Sequence, residues 1–238
     1  MTVQKSTVEE IRQRFDAETN LYTNLETGQV SAVDSALAMS LVAEAAAVTT
    51  PHAAHLLEVG CGGGNYTLKL LERLPGLNVT LVDLTQAMLD LAVPRVRAKA
   101  TGFVEAICSD IRDLDFGKGR FDIVLASAVL HHLRTDDEWQ SVFQALHDAL
   151  KPGGSFWIFD IVESPLPELQ AIHWRRYGDY LTAAGGAAFR EQLYERILAE
   201  DTPRSVPYQL DLLRAVGFRE VELLHKNACY AAFGAVKR

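Results

Sequence analysis

The stretch Glu58-Val59-Gly60-Cys61-Gly62-Gly63-Gly64 constrains this chain more than any other. It follows the apolar pair Leu56-Leu57, and a helical pattern resumes at Tyr66. An apolar run that meets so many glycines has to turn sharply, because residues without Cβ adopt positive φ and let another group lie against the main chain. The segment therefore reads as a buried strand bending directly into a helix. Asp83 closes the next apolar run, Val79-Thr80-Leu81-Val82. In nucleotide-type folds an acid at that place accepts hydrogen bonds from ribose hydroxyls.

Beyond the glycine turn, strands and helices alternate, the signature of a parallel sheet with crossover helices. Strands are expected at 56–59, 79–82, 104–108, 121–126 and 155–162, and helices at 66–74, 85–99 and 136–150. Thr85 is the expected cap of the second of these helices. Asp136, Asp137 and Glu138 suit the positive end of the third. Lys151-Pro152-Gly153-Gly154 reads as a turn. Helical spacing at 7–20 and 31–48 gives an N-terminal segment ahead of the first strand. After Pro165 the chain is helical to residue 200, with a break at Ala183-Ala184-Gly185-Gly186. A helix at 204–215 and strands at 220–224 and 230–236 follow; their short connection requires an antiparallel pair. The expectation is one domain: a helical cap over 1–50, a core over 51–238, and a helical lid inserted at about 165–202.

With those residues in view, the chain resembles the class I S-adenosylmethionine-dependent methyltransferases. Glu58, Gly60, Gly62 and Gly64 fit the family's first motif, an acid followed by alternate glycines. The dinucleotide pattern G-x-G-x-x-G fits worse, since counted from Gly60 its last glycine falls on Asn65. The resemblance implies a Rossmann-like α/β fold, a three-layer α/β/α sandwich. Its mostly parallel seven-stranded sheet has the order 3-2-1-4-5-7-6, with strand seven antiparallel. It also implies S-adenosyl-L-methionine as cofactor and S-adenosyl-L-homocysteine as product. Glu58 then meets the methionine ammonium, Gly60, Gly62 and Gly64 admit the methionine and ribose, and Asp83 takes the ribose hydroxyls. Leu84 and Met88 cover the adenine, Asp110 and Ile111 meet its edge, and Ser127 lies beside the methionine.

His131 and His132 occupy a Leu-His-His segment that many small-molecule methyltransferases carry after the fourth strand. Either is a candidate general base, His131 slightly favoured, against the alternative of a helix-start histidine bonded to backbone. Candidate acceptor-binding residues are Tyr22, Asp160 at the end of the fifth strand, and Trp174, Tyr177 and Arg190 in the insertion. Aromatics there could wall a pocket and attract a sulfonium, or simply pack the helices. No His, Asp and Glu group shows ligand spacing along the chain, and no metal is expected.

The formal charge of −8 argues against nucleic acid and anionic membrane as partners, leaving a small-molecule acceptor. The Asn/Asp-Pro-Pro-Tyr/Phe motif of many base and amide methyltransferases is absent; Ser127-Ala128-Val129-Leu130 stands there. Three cysteines without metal spacing suit a reducing, cytoplasmic location. The Ala-rich segment 35–48 is too short to span a bilayer. A monomer and a homodimer are equally open. Two alternatives keep the cofactor: a looser likeness of the C-terminal part to carboxy-S-adenosylmethionine synthase of tRNA modification, with Arg190 holding the added carboxylate, and a non-catalytic S-adenosylmethionine-binding subunit.

Overall fold

Period-two burial of the strands organises the molecule. Leu56, Val79, Leu81, Ile123, Leu125, Trp157 and Phe159 pack on one side of the sheet, and Leu57, Val59, Val82, Val124, Ala126, Phe156 and Ile158 on the other. Strands buried on both faces need a helical layer on each side. The computed structural model describes residues 4–19, 23–26 and 29–238. Among them the strands are β1 (His55–Val59), β2 (Asn78–Asp83), β3 (Val104–Cys108), β4 (Phe121–Ser127), β5 (Leu150–Ile161), β6 (Glu220–Asn227) and β7 (Tyr230–Val236). They form one seven-stranded sheet in the order β3-β2-β1-β4-β5-β7-β6. β1 to β5 pair in parallel, and β7 runs antiparallel to both β5 and β6. The Rossmann-like architecture, the order and the reversed strand are those expected.

The helices are α1 (Val8–Ala17), α2 (Ser35–Thr49), α3 (Asn65–Leu71), α4 (Gln86–Arg97), α5 (Asp136–Ala149), α6 (Pro167–Glu200) and α7 (Val206–Ala215). Their starts follow from capping chemistry. Thr85 caps α4 by accepting from Met88 N–H, and Thr7 and Thr135 form reciprocal capping boxes with Glu10 and Glu138. Pro94 sits inside α4 without ending it. α2 and α4 pack with the first apolar set, and α5 and α7 with the second.

Two boundaries differ from the sequence expectation. The turn expected at Lys151-Pro152-Gly153-Gly154 is absorbed into β5 as an irregularity: Phe121 pairs with Leu150, but Ile123 pairs with Ser155. The extra residues loop out between those pairs, which is how a strand hosts surplus chain without losing its ladder. The break expected across 183–186 narrows to one residue, Gly186, at φ 86° and ψ 177° inside α6. α6 runs back towards the N-terminal helix: Arg14 Nε and Nη2 donate to Glu200 at 2.7 and 2.5 Å, and Arg196 Nη2 donates to Glu18 at 2.7 Å.

Candidate functional site

The glycine turn is built as the sequence suggests. Gly60, Gly62 and Gly64 all have positive φ, 64°, 49° and 76°. At Gly60 the need is also steric, because a Cβ there would lie 2.5 Å from Val129 Cβ in the loop after β4. Asp83 sits beneath the turn. Its Oδ2 accepts from Gly62 N–H at 2.8 Å and its Oδ1 from Thr85 N–H at 3.1 Å. Glu58 accepts from the Thr67 backbone N–H at 3.2 Å and from the Thr67 hydroxyl. Burial pushes Glu58 up to about 8 and Asp83 up to about 6, and in both cases hydrogen bonds oppose the shift. The two acids thus stay close together in a place that favours an approaching cation or a set of hydroxyl donors.

A single cavity runs from this turn to the start of the segment after β4. Glu58, Gly60, Gly62, Asp83, Leu84, Met88, Asp110, Ile111, Ser127, Tyr177, His131 and His132 all line it. Asp110 is held by Arg112, whose Nε donates to Oδ1 at 2.9 Å and whose Nη2 donates to Oδ2 at 2.5 Å, so its carboxylate already has a cation. One wall is a row of aromatic rings. Tyr66 stacks on Phe159 with centroids 6.2 Å apart, Phe159 on Tyr230 at 5.6 Å, and Tyr230 meets Tyr177 edge-on at 5.7 Å. Of these four, only Tyr177 comes from the insertion; the rest come from α3, β5 and β7. α1 and α6 close the far side through Ile11, Phe15, Leu193 and Ile197.

Several expected site residues stand elsewhere. Gly64 faces α4, with Val96 Cγ2 3.1 Å from where its Cβ would be, so its bareness serves helix packing and not the cavity. Asp160 was expected at the cleft, yet it is fully buried and absent from the cavity wall. Its carboxylate accepts from the backbone N–H groups of Leu130 at 2.9 Å, His131 at 3.2 Å and Ile161 at 2.7 Å, and it bonds His131 Nδ1. Trp174 stacks on Tyr194 with centroids 4.5 Å apart, and Arg190 pairs with its neighbour Glu191; neither lines the cavity. The reason is the kink at Gly186: the two halves of α6 meet, setting Trp174 against Tyr194 and Arg190 beside Gly178. Tyr22 lies outside the described residues.

Sequence reasoning missed Asp201. It caps the end of α6 with its N–H donating to Ile197 C=O at 3.0 Å, and Thr202 N–H donates to His131 C=O at 2.7 Å. These bonds bring the Asp201 carboxylate 3.7 Å from His131 Nε2 and 3.5 Å from His132 Nδ1. The acid pair Glu200-Asp201 just ahead of Pro203 was the available signal, but nothing local tied it to the histidines. Burial by itself would lower His131, yet the Asp160 and Asp201 carboxylates outweigh it and hold the ring at about 9. Burial and the charge of His131 push His132 well down instead. Neither ring nitrogen of His132 makes a hydrogen bond.

The strand order, the glycine turn and the acid on β2 can now be set beside known proteins. Residues 56–154 match the family model described as a methyltransferase domain. The demethylmenaquinone methyltransferase of Lactococcus lactis subsp. lactis is 26% identical over 187 residues, 76% of this chain and 73% of that protein. The ubiquinone/menaquinone biosynthesis C-methyltransferase UbiE of Cereibacter sphaeroides is 27% identical over 183 residues, 74% of this chain and 71% of its own. Residues 56–154 thus match a methyltransferase domain, and the sheet order around them is the one the class I S-adenosylmethionine-dependent resemblance implies. Among solved structures, the 1,6-didemethyltoxoflavin-N1-methyltransferase of Burkholderia thailandensis, with S-adenosylhomocysteine and its substrate bound, superposes with TM-score 0.64. That likeness covers 100% of this chain and 93% of the other at 20% identity, and it speaks to the fold. The matched domain and the relatives named as methyltransferases support an enzyme of that kind. Among the described residues no helix is long and apolar enough to cross a membrane.

Proposed function

We propose that this methyltransferase moves a methyl group from S-adenosylmethionine to a small, largely apolar ring acceptor. One observation carries the reading: a single cavity joins the Glu58–Asp83 turn to the His131–His132–Asp201 cluster along an aromatic wall. The residues fit the cofactor. Asp83 offers free lone pairs beside a bare-backbone turn at Gly60 and Gly62, as ribose hydroxyls require. Glu58 becomes a counter-charge for an ammonium once it gives up its proton. Leu84, Met88 and Ile111 supply apolar surface beside Asp83 for a base. When bound, S-adenosylmethionine supplies a methyl group on a sulfonium, open to in-line displacement that leaves S-adenosylhomocysteine.

The protein's part is to hold, orient and keep out water. Tyr66, Phe159, Tyr177 and Tyr230 present ring faces suited to a cation and to a flat acceptor. One relative's name gives demethylmenaquinone and the other's gives ubiquinone/menaquinone biosynthesis, and a quinone-type ring is an acceptor of that shape. His131, braced from behind by Asp160, and His132, without a hydrogen bond, end the cavity where the acceptor's reacting group would lie. α1 and α6 act as the cover, residues 1–50 as the cap and about 165–202 as the lid. The carboxy-S-adenosylmethionine synthase reading loses its anchor, since Arg190 is outside the cavity wall. The test is calorimetry with S-adenosylmethionine and S-adenosylhomocysteine, then mass spectrometry of mixtures with hydroxylated quinones. Binding of both compounds and a product heavier by one methylene unit are expected. Absence of heat with either compound would remove the reading.

A further inference from the structure

The sequence shows two adjacent histidines and, much later, an aspartate that no motif connects to them. The fold brings all three to one end of the cavity, where His131, His132 and Asp201 each offer one ligand atom, all within 4.8 Å of one another. Two of the separations are 3.7 Å, from His131 Nε2 to Asp201 Oδ1, and 3.5 Å, from His132 Nδ1 to the same oxygen. Ligand bonds of about 2.1 Å at tetrahedral angles put neighbouring ligand atoms about 3.4 Å apart. Direct hydrogen bonds would be shorter, and unrelated side chains would be farther.

Two further features match a metal centre better than a hydrogen-bonded cluster. First, His132 is enclosed, yet both of its ring nitrogens lack a hydrogen bond. A buried polar group without a partner is costly, and a metal ligand is one way to recover that cost. Second, His131 is oriented from behind. Asp160 takes backbone N–H donors and His131 Nδ1, so Nδ1–H is the donor and Nε2 is left to point at Asp201. A carboxylate that fixes the tautomer and angle of a ligating histidine is the usual support behind metal sites.

We infer that His131 Nε2, His132 and Asp201 form a binding site for a divalent transition-metal ion of the zinc type, open on the cavity side. Two imidazoles and one carboxylate favour such an ion over Mg²⁺ or Ca²⁺, which take oxygen ligands. Three protein ligands leave a coordination position, and all three side chains line the cavity. Resting on the methyl-transfer reading above, that position would take an acceptor oxygen and hold it as an anion. The binding of the ion itself does not depend on that reading.

The experiment uses the full-length protein stripped with EDTA and freed of chelator, without cofactor or acceptor. Zn²⁺ is titrated by calorimetry, and Co²⁺ by visible absorption as a reporter of geometry. One ion per chain and an intense tetrahedral-type Co²⁺ spectrum are expected, with no response to Mg²⁺. H132L and D201N should each weaken Zn²⁺ binding by about tenfold or more. H132L removes a side chain that makes no hydrogen bond, so circular dichroism should report a native fold. D34N is the control, because Asp34 pairs with His225 at 2.8 Å away from the cavity wall; it should bind Zn²⁺ as the parent does. No stoichiometric Zn²⁺ binding, or parental affinity in both H132L and D201N, would overturn the inference. Since no step of the titration uses S-adenosylmethionine, its failure leaves the methyltransferase assignment standing, and the converse also holds.

Discussion

Asp83 and Glu58 concentrate the chemistry of cofactor binding in two carboxyl groups held by backbone and hydroxyl donors. D83A removes the acceptor proposed for two ribose hydroxyls and should weaken S-adenosylmethionine binding by about 1–3 kcal/mol. Calorimetry reads this directly, and an unchanged dissociation constant would take Asp83 out of the site. Glu58 adds a pH dependence whose sign is fixed. Its folded value lies at about 8, above the 4.5 of a free glutamate, so the free protein carries that proton at neutral pH. Meeting an ammonium requires the carboxylate, so binding should release a proton and weaken as pH falls below about 8. Asp83, at about 6, should add a second loss of affinity as pH falls through that value. For the free protein the same raised values mean that this contribution to stability is present at low pH and is lost as pH rises through about 6 and then about 8. E58Q should flatten the upper part of the affinity profile and abolish proton release, measured in buffers of different ionisation enthalpy.

Among the elements, α6 and α1 are the ones whose joining shapes the cavity. Gly186 interrupts α6 at φ 86° and ψ 177°, a region open to glycine alone, and no atom lies within 4 Å of where its Cβ would be. G186A should therefore cost about 1–3 kcal/mol from backbone strain and none from crowding. Thermal unfolding measures it; a midpoint equal to the parent's would mean that the kink is not needed. Arg14 and Glu200 tie α1 to the end of α6 by two bonds between largely sheltered side chains. R14A leaves Glu200 without its cation and should cost about 1–3 kcal/mol. Faster hydrogen exchange in residues 8–17 should accompany that loss, and exchange as slow as the parent's would show that α1 is held by its apolar contacts instead.

At the scale of the whole molecule, a cofactor that binds only the folded chain raises its stability by mass action. S-adenosylhomocysteine at a hundred times its dissociation constant should add about 2.7 kcal/mol. For a chain of this size that is roughly 5–10 °C in the unfolding midpoint. Protection from exchange should fall on the β1–α3 turn, the end of β2 and the facing parts of α1 and α6. A midpoint that does not move at saturating ligand would contradict the assigned cavity.

Much of this arrangement can be read along the chain. Alternating apolar runs and helical patterns, together with the family likeness, lead to the sheet order, because period-two and 3.6-residue spacing are local properties of neighbouring residues. The glycines of the turn and Asp83 at the tip of β2 are similarly local, since backbone conformation and strand ends follow from the adjoining sequence. What no local pattern carries is the direction of a side chain relative to a distant segment. Asp160 sits at a strand end, as expected, but its position in β5 turns it inward to brace His131. Trp174 and Arg190 lie in the expected insertion, but contacts between the two halves of α6, with Tyr194 and Gly178, hold them off the cavity wall. Asp201 reaches His131 and His132 because the end of α6 is pinned to the loop after β4 by Thr202. Spacing along the strand of amino acids thus set the scaffold and the cofactor turn, whereas the histidine–aspartate cluster came from long-range packing, which alone brings remote side chains within bonding distance.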